Sequence, residues 1–178
     1  GAAFVAPNGV APVPQAPGGY QWFALSHPDP QLLEQGARLS ALSLDRFIDR
    51  ELEKYGLDES RLALVGFSQG TMMALHVGVR RARPAAAILG YSGVLVGGSR
   101  LKEEMQAKPP ILLVHGDQDD TIPITAMFES AEMLAASGHG ACWHISYGVP
   151  HGIGPDGLEL GGAFLAANLK PRSLAAAR

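Results

Sequence analysis

Apolar residues in this chain fall into short unbroken runs separated by stretches in which they recur every three or four positions. The runs at 2–6, 62–65, 86–89, 111–114 and 142–147 are too short for helices and lack the alternation of a half-solvated strand, so they predict buried strands. Between them, Leu33, Ala37, Ala41, Leu44, Ile48 and Leu52 keep helical spacing. That helix has its start in Asp29-Pro30, a capping residue followed by a proline suited to the first turn, and its stop in Gly56. Pro123 opens another, with Met127, Ala131, Leu134 and Ala135 on one face and Gly138 beyond its end. A last helix follows Asp156 and is weakened by Gly161 and Gly162.

Strands alternating with helices imply an α/β fold, a mostly parallel sheet with helices on both faces. No repeat or linker divides residues 1–178, and "APVPQAPGG" reads as a rigid proline-rich loop, so one domain is expected.

Composition narrows the function classes. Of 178 residues 47% are hydrophobic and the net charge is -3, which suits one soluble domain with a sizeable core. There is no long block of one charge sign, which argues against nucleic acid and anionic membrane surfaces as partners. Arg80, Arg81 and Arg83 read as a helix end, where cations oppose the dipole. The lone Cys142 excludes an internal disulfide framework, and its strand-like setting predicts a buried thiol in a reducing, cytoplasmic protein. No apolar stretch is long enough to span a bilayer, and "GAAFVAPNGV" lacks the basic region of a signal peptide. Nothing in the chain specifies an oligomeric state.

Gly66-Phe67-Ser68-Gln69-Gly70 interrupts this pattern at the junction of a predicted strand and a predicted helix, the context of a G-x-S-x-G nucleophile elbow. Glycines at 66 and 70 are expected to remove Cβ atoms that would collide in so tight a turn, leaving Ser68 above the sheet's C-terminal edge. The helix that starts there aims its amides at the serine oxygen. By itself the pentapeptide could be a chance match in a glycine-rich loop. A serine nucleophile also needs an imidazole to take its proton and a carboxylate to orient that imidazole. "ILLVHGDQDDTIP" ends a buried strand in a loop with Asp117, Asp119 and Asp120, any of which could serve on chemistry alone. "YGVPHGIGPDG" ends the last strand in a loop carrying His151. The order Ser, Asp, His, each at a strand's C-terminal end, matches the α/β-hydrolase arrangement.

With these residues in place, the chain resembles the phospholipase/carboxylesterase group of α/β-hydrolases, which includes the acyl-protein thioesterases. The resemblance runs through "FVAPNGVAPVPQAPGGYQWF", "GFSQG", "YSG", "HGDQDDTIP" and "HGI". It implies Asp119 as catalytic acid, from the fifth position of H-G-x-x-D-x-x-[VI]-P, and His151 as base, from the H-G-I element. It further implies Trp22 near the acyl pocket and the backbone N–H of Gln69 as an oxyanion-hole donor. Family members also carry, ahead of the segment matching 4–7, a strand ending in an H-G-x-G loop that supplies a second donor. The His-Gly pairs here, at His115, His139 and His151, do not replace it. The resemblance therefore implies an N-terminally truncated domain lacking that strand, with an open slot expected between the strands at 2–6 and 62–65. Loss of one oxyanion donor costs ~10²–10³-fold in rate.

The remaining candidates read as structural. His115 is expected to be hydrogen-bonded within the loops, His76 and His144 to be packed or surface residues, and His27 and His139 to lie in polar loops. Met72 and Met73 read as core filler, and Trp22 equally suits ordinary core. No histidine pair has helical metal-site spacing and no cysteine cluster exists, so neither metal nor other cofactor is expected. The function expected is a serine hydrolase acting on small-molecule carboxylic esters or thioesters through an acyl-enzyme. A dienelactone-hydrolase-like lactone opening and a catalytically impaired fragment are the alternatives.

Overall fold

The computed structural model describes residues 2–25 and 29–169; His27 lies outside them. In chain order the elements are β1 (Ala11–Pro12), β2 (Tyr20–Gln21), α1 (Pro30–Tyr55), β3 (Ala63–Phe67), α2 (Gln69–Gly78), β4 (Ala87–Tyr91), α3 (Leu101–Glu104), β5 (Ile111–Gly116), α4 (Thr125–Ala136), β6 (Cys142–Ser146) and α5 (Pro155–Asn168). The last four strands form a parallel sheet in the order β3-β4-β5-β6. Strands β3, β4 and β5 continue past the apolar runs, because Gly66, Phe67, Gly90, Tyr91, His115 and Gly116 still pair in the ladder although glycine and histidine do not read as apolar.

Alternate side chains of the central strands enter two clusters, the reason these strands are apolar at every position. Leu64, Ile88, Ile111 and Leu113 pack with residues of α1, α2, α3 and α4, among them Ile48, Leu75, Leu101 and Leu134. Met72 and Met73 belong to this cluster. On the opposite face, Leu89, Tyr91, Leu112 and Val114 meet Phe164 and Leu165 of α5. The glycines that look like weak points in α5 let it sit close to the sheet. A Cβ on Gly161 would fall 2.0 Å from the Tyr91 hydroxyl, and one on Gly157 would fall 2.7 Å from Val114.

The caps of α1 follow the pattern. The Asp29 carboxylate accepts from Gln31 N–H at 2.8 Å, and Gly56 adopts φ 60° with its N–H turned back to Glu53 and Leu52. Gly138 likewise takes a positive φ of 79° after α4. In α4, however, Ala135 is exposed, and Ser130 joins Met127 and Leu134 among the buried residues, donating to Ala126 O and accepting from Leu95 N–H. Arg80 meets the end of α2 as its position suggests, donating to His76 O, and also pairs with Glu104. Arg81 goes further and bridges Asp45, Asp49 and Glu59.

Three expectations are corrected. Residues 2–6 form no strand: apolar character alone cannot supply a ladder partner, and Phe4 is 92% exposed. The proline-rich "APVPQAPGG" is not merely loop, since Ala11 and Pro12 pair antiparallel with Gln21 and Tyr20 around a turn closed by Val13 N–H to Gly19 O. Cys142 is exposed at the start of β6, a strand with one neighbour among the described residues. The other edge is β3, unpaired on its outer side among the described residues. Among those residues no helix is long and apolar enough to cross a membrane.

Candidate active site

The ends of β3, β5 and β6 each carry one of the three residues singled out by their order. Ser68 follows β3 directly, with φ 52° and ψ -117°, a backbone conformation that side-chain-bearing residues rarely adopt. The turn is held because Ser68 N–H donates to Tyr91 O at 2.9 Å, and Ser68 O accepts from Thr71 N–H at 3.0 Å. Thr71 also donates its hydroxyl to Tyr91 O. The tightness demands glycine at position 66, where a Cβ would fall 2.3 Å from both Gly70 C and Thr71 N. The matching expectation for Gly70 is corrected: a Cβ there meets nothing within 4 Å, since the chain has already turned into α2.

His151 Nε2 stands 3.0 Å from Ser68 Oγ, and its Nδ1 stands 2.8 Å from Asp119 Oδ2. Of the three loop carboxylates, Asp119 is the one that reaches the imidazole. Its side chain is fully buried, and Oδ1 accepts from Thr121 N–H at 3.0 Å and Ile122 N–H at 2.8 Å. Burial alone would push its pKa up. Hydrogen bonds from Ile122, His151 and Thr121 outweigh this and hold the carboxyl below the usual range. An ionised Asp119 only accepts, so Nδ1 carries the imidazole proton and Nε2 faces the serine hydroxyl as an acceptor.

The surrounding groups fix these three. Asp117 accepts from Gly148 N–H at 2.6 Å, joining the loop after β5 to the loop after β6. Asp120 is exposed and accepts from the Thr121 hydroxyl at 3.4 Å. The fully buried His115 donates from Nε2 to Ile122 O at 2.8 Å and lies 3.3 Å from Asp119 Oδ2, so it backs the carboxylate. His76 is packed inside, its Nδ1 3.2 Å from Val96 O. His144 pairs with Asp156 at 2.7 Å, and His139 meets Pro109 O at 2.6 Å.

Ser92 is a contributor that its place in "YSG" does not reveal. It is buried with φ 44°, and its hydroxyl donates to the carbonyl of Gly152, the residue after His151, at 3.0 Å. Its positive φ at a strand end parallels that of Ser68, but residue type alone carries no sign of it. Trp22 is half-buried against the larger cluster, and its backbone N–H donates to the Gln69 side chain at 2.7 Å. Gln69 is the first residue of α2, where backbone N–H groups point out of the helix toward the region above Ser68. Among the described residues, no three His, Cys, Asp or Glu side chains are gathered as a metal ion would require.

Comparison with known proteins places this geometry in context. The sequence model of the phospholipase/carboxylesterase family matches residues 2–169. Acyl-protein thioesterase 1 of Gibberella zeae is 28% identical over 144 residues, which span 78% of this chain and 61% of that protein. Acyl-protein thioesterase 1 of Schizosaccharomyces pombe is 36% identical over 104 residues, 57% of this chain and 46% of that protein. The chain thus spans about half to three fifths of these relatives' length. Among solved structures, esterase PE8 superposes with a TM-score of 0.88 at 39% identity, covering 93% of this chain and 78% of that one. SOBER1 of Arabidopsis thaliana superposes with a TM-score of 0.77 at 20% identity, covering 85% and 75%, a likeness of fold.

Proposed function

The chain belongs to the phospholipase/carboxylesterase family, and we propose that it is an α/β-hydrolase domain that cleaves carboxylic esters or thioesters through an acyl-enzyme on Ser68. The observation that carries this reading is the relay itself: 3.0 Å from Ser68 Oγ to His151 Nε2 and 2.8 Å from Nδ1 to Asp119, across loops 83 and 32 residues apart in sequence. The names of the related proteins, acyl-protein thioesterase and esterase, agree with it.

In this mechanism His151 takes the hydroxyl proton as Ser68 Oγ bonds to the acyl carbon. The carbonyl becomes an oxyanion, to which the Gln69 N–H donates. Collapse breaks the bond to the leaving alkoxide or thiolate, which receives the proton from His151. A water then repeats the sequence, losing its proton to His151 and releasing the acid and free Ser68. Asp119 stays ionised, holds the productive tautomer and stabilises the imidazolium. Trp22 borders the acyl side.

A fluorophosphonate probe tests the reading, since it phosphonylates an activated serine and leaves a bystander unmodified. Labelling of the parent at Ser68, lost in Ser68→Ala and His151→Ala, is expected; an unlabelled parent would overturn it.

A further inference from the structure

We propose that the Gln69 side chain is a positioning residue that fixes the Trp22–Phe23 segment to the nucleophile turn and so sets acyl-chain selectivity. The selectivity half rests on the hydrolase reading above; the positioning half does not. The Gln69 carboxamide bonds two consecutive residues of that segment, accepting from Trp22 N–H and donating to Phe23 O, each at 2.7 Å. Those partners lie 47 and 46 positions away in sequence, so the amide joins two parts of the chain that no ladder connects.

Helix α1 also holds the segment. Trp22 O accepts the Ser40 hydroxyl. Phe23, 6% exposed, packs over Gly36, where a Cβ would fall 2.6 Å from the Phe23 Cβ. Helix α1 therefore anchors the segment to the scaffold, while Gln69 registers it against Ser68. The nearest ladder is the two-residue pairing of β1 and β2, too short to set the position alone. Only glutamine fits both ends of this clamp: glutamate of the same length lacks the donor and methionine lacks both groups. A residue next to the nucleophile thus fixes the distance between reacting oxygen and Trp22, and small displacements of a positioning element carry large penalties.

The test uses a Trp143→Phe background, in which Trp22 is the remaining tryptophan of the two in the chain. Gln69→Met is expected to shift Trp22 emission to the red and to increase its quenching by acrylamide. For p-nitrophenyl octanoate its KM should rise about tenfold, with a smaller rise for the acetate, because the two lost hydrogen bonds order the acyl wall. Gln69→Glu keeps the acceptor for Trp22 N–H and loses the donor to Phe23 O, so at pH 7.5 it should shift the same readings in the same direction, by less. Parent-like emission and quenching in Gln69→Met would overturn the proposal. A shifted emission with an unchanged octanoate-to-acetate ratio would overturn the selectivity role. If the methionine variant does not fold, the near-isosteric glutamate variant decides by the same readings. If the parent's Ser68 resists fluorophosphonate, the selectivity half falls with the hydrolase reading, and fluorescence still decides whether Gln69 holds Trp22.

Discussion

The ring of Phe67 lies against the imidazole of His151, with centroids 4.9 Å apart and planes tilted by 45°. Phe67 ends β3 immediately before Ser68, so one strand end supplies both the hydroxyl that faces Nε2 and the apolar surface on which the imidazole rests. Phe67 is 40% exposed, which makes its packing on His151 matter more than any part in the core. A ring pair of this kind is worth about 0.5–1.5 kcal/mol beyond area burial. Phe67→Ala is therefore expected to lower kcat by about fivefold, with little change in melting temperature. Parent-like turnover in steady-state kinetics would show that Asp119 alone holds the imidazole.

If Ser68, His151 and Asp119 act as one unit, Ser68→Ala and His151→Ala should each reduce ester turnover by roughly 10⁴-fold or more. Asp120→Asn, at an exposed position, is expected to stay within about twofold of the parent. Substantial activity in His151→Ala would refute the assignment.

The two glycines of the elbow should respond in opposite directions. Gly66→Ala puts a methyl 2.3 Å from backbone atoms of Gly70 and Thr71 that cannot move without opening the turn. A loss of about 3 kcal/mol or more is expected. Gly70→Ala meets open space at the start of α2, and helix propensity makes it neutral or stabilising by up to about 1 kcal/mol. Urea denaturation of both variants checks the contrast.

Burial, with Arg80 adding to it, lowers the pKa of His76 from 6.5 to about 4. The unfolded chain takes up this proton first, so folded-state stability is fully present above about pH 6.5 and declines as the pH falls toward 4. The slope attributable to this group is about 1.4 kcal/mol per pH unit across that window. His76→Gln, which keeps a donor for Val96 O, should lose less stability between pH 7 and pH 5 than the parent. Equal losses in urea melts at the two pH values would exclude His76 as the titrating group.

The strands β3 to β6 and the caps of α1 were legible in residue order, because burial on two faces leaves unbroken apolar runs and capping is a contact between near neighbours. The same holds for the Ser, Asp, His sequence of loops, since a parallel α/β chain brings every strand's C-terminal end to one edge. Residue order could not separate Asp117, Asp119 and Asp120 on chemistry. Their roles depend on which carboxylate the β5 loop turns inward, and that is set by Thr121, Ile122 and His115 together with the position of His151. Hydropathy likewise suggested a strand at 2–6 and a buried Cys142, and both failed because pairing and burial belong to neighbours rather than to the residue itself. Gly66 and Gly70 look equivalent in the pentapeptide, yet only the first faces backbone, because the chain reverses between them. The hold of Gln69 on Trp22 and Phe23, and that of Ser92 on Gly152, join segments 46–60 residues apart. Such contacts leave no periodic trace in a sequence, since the partner of a side chain is chosen by the path of the whole chain and not by its neighbours along it.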